Sequence, residues 1–118
     1  MKNIILSALY LLILFCVSEF FLEPSNLYYE FKWLDIPMHL LGGFGVAALT
    51  AGILKYTKHP VSFAKVVAVY LLIAVMWEAY EYIHDLVRMV VWNGWIDTTK
   101  DVFMGGVGAS IAYTLMKK

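Results

Sequence analysis

Four apolar runs, at residues 4–22, 36–54, 61–82 and 98–116, are each about as long as a lipid bilayer is thick, and they leave this chain few ways to fold. In hydrocarbon every backbone N–H and C=O must find its partner inside the protein, so only helices and closed barrels span a membrane. A helical span needs roughly 20 apolar residues. A membrane strand would alternate apolar and polar residues, and these runs do not alternate. The breaks between them carry helix-ending and helix-starting signals: Glu23-Pro24, Ile36-Pro37, His59-Pro60 and the closing Lys117-Lys118. The expectation is an all-α fold, a four-helix transmembrane bundle forming a single domain over residues 1–118. Composition agrees. Charged residues are 15% of the chain, against about a quarter in soluble domains, and the mean hydropathy is +0.73.

The first run has a competing reading as a signal peptide, with Lys2 before it and the small residues Cys16 and Ser18 before Glu19. Its apolar stretch is long for that role and continues through Phe20-Phe21-Leu22. Cys16, the single cysteine, has no partner for an internal disulfide and reads as a small hydrophobe. Nine basic and nine acidic groups cancel, which argues against nucleic acid as a partner. The basic residues are unevenly placed. Lys2, the group Lys55, Lys58 and Lys65, and the terminal lysines fall on one side of a four-span frame. By the positive-inside rule that side is cytoplasmic, which puts both termini there and the protein in the cell membrane.

On that frame every Asp and Glu falls at the outer ends of the helices or in the outer connections. His39 and His84 join them, and His59 does not. Several of these groups lie below the membrane surface. A carboxylate at the centre of a span costs roughly 2.5–3.5 kcal/mol on insertion scales, less near the interface, so such groups are expected to face a bundle interior. Helical spacing supports convergence. Asp35 and His39 are i and i+4, Glu78 and Glu81 are i and i+3 with Asp85 at i+7, and Asp97 and Asp101 are i and i+4. Small residues continue two of the stripes inward: Gly42, Gly43, Val46 and Thr50 below His39, and Gly105, Gly108 and Ala112 below Asp101. Spacing of this kind lets membrane helices approach closely, here helices two and four.

The same residues serve four readings. In the first, the acids pair with Arg88, Lys100 and Lys32, with Asp35 and Asp97 or Thr98 as helix N-caps. In the second, Asp35, His39, Glu78, Glu81 and Asp101 hold a divalent metal, with His84 and Asp97 as weaker candidates; oxygen and imidazole donors suit Zn, Mn or Fe(II). In the third, the chain is an enzyme acting on a lipid or lipid-linked envelope substrate, with His39 as base or nucleophile and Glu78 or Glu81 as general acid. In the fourth, the acids bind or carry a cationic headgroup or a proton, and so short a bundle would need to form a homo-oligomer. Tyr28, Tyr29, Trp33, Trp92 and Trp95 read as an interfacial aromatic belt. Trp77 and Tyr80 read equally as pocket lining or lipid-facing packing.

Taken together, Asp35-x-x-x-His39, Trp77-Glu78-x-Tyr80-Glu81 and Trp95-x-Asp97-Thr98-x-x-Asp101, with Gly105 and Gly108 following, resemble the VanZ-like membrane proteins and related small prokaryotic membrane proteins. The likeness covers residues 34–112, and helix one carries no motif that belongs to it. The sequence departs from the usual pattern at Ile96, which separates Trp95 from Asp97, and at Gly105, where members often have asparagine. The resemblance implies a membrane fold and these polar positions. The namesake is linked to glycopeptide-antibiotic tolerance, and no substrate follows from it.

Overall fold

The computed structural model describes residues 1–22, 32–87 and 95–117. Among them are four long helices. Helix α1 spans Lys2–Val17 and runs on into a π-helical turn, Ser18–Leu22. Helix α2 spans Asp35–Tyr56 after a short 3-10 turn at Lys32–Leu34. Helix α3 spans Phe63–Val87 and α4 spans Trp95–Met116. Three candidate spans, Lys2–Phe21, Asp35–Tyr56 and Phe63–Val87, are long and apolar enough to cross a membrane, with mean hydropathies of 2.4, 1.5 and 1.7. Helix α4 has the length, but Asp97, Lys100 and Asp101 fall within its first two turns.

Local chemistry accounts for the helix ends. Pro37 sits in the first turn of α2, where its missing N–H has no intrahelical partner to lose. The far end of α2 closes in a Schellman motif. The His59 N–H donates to the Leu54 carbonyl at 2.8 Å and the Lys58 N–H to the Lys55 carbonyl at 3.1 Å. That motif needs a left-handed residue, and Lys58 supplies it at φ 60°. Pro60 follows, and Ser62 caps α3 by accepting the Lys65 N–H at 3.2 Å. The tight connection makes α2 and α3 antiparallel neighbours.

Two faces of α2 are stripped to small residues, where the sequence suggested one. A methyl group on Gly43 would run into the Gly105 backbone, and one on Gly108 into the Leu40 carbonyl, so α2 and α4 meet backbone to backbone. A methyl group on Gly45 would come within 2.6 Å of Leu11 and Tyr10, so this second face receives α1. Gly42, expected on the α4 side, also faces α1, with Leu14 at 3.9 Å. The Tyr10 hydroxyl fastens that contact by donating to the Leu41 carbonyl at 2.8 Å. The core between α2, α3 and α4 is Ala47, Val66, Tyr70, Ala109 and Ala112. The outward faces are apolar, with Leu12, Ile13, Leu72, Val75 and Met76 exposed. That is the surface expected of helices solvated by lipid.

The helices start and stop somewhat differently from the apolar runs. Helix α3 continues to Val87, a turn past the expected end, which carries His84 and Asp85 into the helix. Helix α4 begins at Trp95 and α2 at Asp35. Asp35, Asp97 and Thr98 are therefore first-turn residues and not N-caps, and Leu34 at the cap of α2 makes no side-chain cap bond. First-turn carboxylates still lie favourably near the positive end of each helix dipole.

Candidate functional site

Helices α2 and α4 build the centre of the site. Their glycine contact brings the first two turns of each together, and Asp35 and His39, one turn apart, face Asp101. The His39 Nε2 lies 3.2 Å from Asp35 Oδ1 and 3.3 Å from Asp101 Oδ2. One ring nitrogen carries at most one hydrogen, so it cannot fully satisfy both carboxylates as a donor. Asp101 is only 2% exposed. Its second oxygen, Oδ1, is buried and has no hydrogen-bond partner among the described residues. Native interiors rarely leave such an oxygen unanswered, and a bound cation or water is among the few partners that would answer it.

Helix α3 contributes two more carboxylates. Glu78 Oε2 accepts a long hydrogen bond from the Thr98 hydroxyl of α4, at 3.4 Å. The Trp77 indole N–H donates to Glu81 Oε1 at 2.6 Å and fixes that carboxylate. One ligand atom from each of His39, Glu78, Glu81 and Asp101 falls in a group whose members all lie within 4.8 Å of one another. Asp35, Asp97 and Asp101 form a second such group, so Asp101 belongs to both. Lys100 sits on the second group. Its Nζ donates to Asp97 Oδ1 at 2.8 Å and lies 3.9 Å from Asp101 Oδ1.

Of the sequence candidates, Asp35, His39, Glu78, Glu81, Asp97 and Asp101 therefore converge. His84 and Asp85 fall in neither group. The His84 ring instead stacks on Tyr80, with centroids 5.8 Å apart, in a ladder that continues to Trp77 at 5.1 Å. The seven-residue step from Glu78 to Asp85 preserves the helix face, but it sets Asp85 about 10 Å further along α3. Arg88, Glu23, Glu30, Tyr28, Tyr29, Trp92 and the outer connections lie outside the described residues.

Tyr70 escaped the sequence reading, and two residues that it did name, Trp77 and Lys100, take more specific roles. Tyr70 lies two turns below Glu78 and is 5% exposed. Its hydroxyl donates to the Val102 carbonyl at 2.7 Å, over Gly105, whose lack of a side chain makes room for it. A tyrosine in mid-span eight residues before a glutamate was the available signal. Trp77 positions Glu81, and the i, i+4 spacing announced that pair. Lys100 was read as a generic counter-charge, yet three residues after Asp97 and one before Asp101 it had little choice of partner.

Four donors from three helices, one nitrogen and three oxygens, suit Zn, Mn or Fe(II); they would close a tetrahedral zinc and leave positions open on a six-coordinate Mn or Fe(II). A groove of about 650 Å³ runs along the other side of α4, between it and α3, lined by Phe63, Val67, Tyr70, Val102, Phe103 and Gly106 among others. Its lining is largely apolar.

A family model described as "Predicted membrane protein (DUF2238)" matches residues 3–118, and the chain belongs to that family. No curated protein and no solved structure matches it.

Proposed function

We propose that this member of the DUF2238 family is a single-domain, four-span protein of the cell membrane, with both termini cytoplasmic, that binds one divalent cation at its outer end. The observation that carries this reading is Asp101: a carboxylate buried at the meeting point of α2, α3 and α4, with one oxygen beside His39 and the other without a hydrogen bond among the described residues. Three further donors, from His39, Glu78 and Glu81, surround it within 4.8 Å. A cation there offsets the cost of sinking several acids below the membrane surface. The distant likeness to VanZ-like proteins fits this reading, since the residues that carry it are the ones that converge.

The test is metal content. Protein purified in detergent without chelators, loaded with Mn²⁺ and desalted, is expected to retain about one ion per chain. The His39→Ala protein, folded by circular dichroism, is expected to lose most of its ion on desalting. Retention of no ion by the wild-type chain, or equal retention by both, contradicts the reading. Topology has its own test: a cysteine placed at His59 in a Cys16→Ser background should resist an impermeant thiol reagent in intact cells, and labelling there contradicts it.

A second reading has the groove in its favour. The cleft between α3 and α4 reaches up to Tyr70 and Val102, the latter one turn below Thr98, so a lipid tail lying in it brings its headgroup toward the site. In that reading His39, Glu78 and Glu81 act on the headgroup of a lipid or lipid-linked substrate through the bound ion. Hydrolysis or transfer of a lipid-linked phosphate substrate by the Mn²⁺-loaded chain, lost in His39→Ala, supports catalysis; Mn²⁺ retention with no turnover leaves simple binding.

A further inference from the structure

The site has two groups of ligands but only one position without a cation of its own. We propose that Lys100 is a tethered cation filling the second position, so that the wild-type chain holds one divalent ion where its carboxylates are arranged for two. This rests on the metal reading above.

Three observations lead here. First, Asp35, Asp97 and Asp101 each place an oxygen within 4.8 Å of the others, close enough for one hard ion to reach all three after small side-chain adjustments. Second, the Lys100 ammonium lies against this group, 2.8 Å from Asp97 Oδ1 and 3.9 Å from Asp101 Oδ1. The His39, Glu78, Glu81 and Asp101 group meets this ammonium only at the shared Asp101. Third, the ammonium fills its place incompletely. Asp101 Oδ1, in a side chain only 3% exposed, is beyond hydrogen-bonding distance of Lys100 and accepts no hydrogen bond from the described residues.

The lysine's geometry explains the shortfall. Lys100 and Asp97 share a helix at i and i+3, so the shortest reach for the ammonium is toward Asp97. A free ion has no such tether and can sit between all three oxygens. Lys100 is also 39% exposed in its side chain, so its charge enters the group from the rim. Removing that charge leaves three carboxylates beside one imidazole, His39, whose Nε2 already lies between Asp35 and Asp101. Asp101 would then bridge two ions, an arrangement in which metals lie about 3.5–4 Å apart. Their mutual repulsion makes the second ion the weaker one.

The experiment is a Mn²⁺ titration of the detergent-purified full chain, with bound ion counted after equilibrium dialysis. Wild-type and Lys100→Arg proteins are expected to bind about one ion each. Lys100→Met is expected to bind about two, and Lys100→Met with Asp97→Asn to return to one. Lys100→Gln is measured alongside, so that a folding defect peculiar to methionine does not decide the result. Two ions in the wild type, or one in both uncharged variants, overturns the assignment of Lys100 while leaving the His39 site standing. No ion in any of these proteins defeats both readings together.

Discussion

Helix α4 has one closed face and one open face. Toward α2 its glycines meet bare backbone, at Gly43 with Gly105 and at Leu40 with Gly108. Toward α3 it leaves a groove of about 650 Å³, bridged by the Tyr70 hydrogen bond to Val102 and, further out, by the long Thr98 hydrogen bond to Glu78. The site straddles the two faces. Asp35, His39 and Asp101 belong to the closed one, where backbone contact fixes their spacing. Glu78 and Glu81 arrive on the helix that is less tightly held. The difference teaches how a site of this kind divides its labour: two helices locked at close range set the ligand geometry, and a third has room to settle its carboxylates onto whatever occupies the site.

This contrast orders the expected effects of substitution. Gly43→Val places a branched side chain against the Gly105 backbone and should cost on the order of 3 kcal/mol or prevent folding, measured by thermal unfolding in detergent. Asp101→Asn preserves the shape of the side chain but takes its charge away from His39 and Lys100, and should cost about 1.5 kcal/mol in the same unfolding assay. The same variant should weaken Mn²⁺ binding by at least about tenfold, or about 1.4 kcal/mol, in a titration. Tyr70→Phe removes one interhelical hydrogen bond on the open face and should cost only about 0.6 kcal/mol in the same unfolding assay. Gly106→Ala, whose methyl group would meet Tyr70 at an ordinary 3.8 Å, should be close to neutral. A Gly106→Ala defect as large as that of Gly43→Val would mean that the groove side is as tightly packed as the α2 side.

Much of this was legible in the residues. Apolar run length gave the helices, and i, i+4 spacing gave the pairing of Asp35 with His39. The cost of an intramembrane carboxylate gave the convergence of Glu78, Glu81 and Asp101. The rest depended on rotation about helix axes, which spacing alone does not fix between helices. Gly42 and Gly43 are adjacent, so they lie about 100° apart around α2 and serve different neighbours. His84 follows Glu81 in a familiar metal-binding spacing, yet its ring is turned to Tyr80. Tyr70 looked like one aromatic among many, because its significance lies in Gly105 and Val102 on another helix. The N-caps were misjudged because α2 and α4 each begin about a turn or less before the apolar run does, which moves the same aspartates from the cap into the first turn.

X-ray absorption spectroscopy of the Mn²⁺- or Zn²⁺-loaded chain reads the proposed convergence directly. The ion should show a mixed shell of oxygen donors and one imidazole nitrogen, and the ring-scattering signature of that imidazole should vanish in His39→Ala and persist in His84→Ala. An all-oxygen shell in the wild type, or a ring signature that survives loss of His39, would show that the imidazole of α2 and the carboxylates of α3 and α4 do not share an ion.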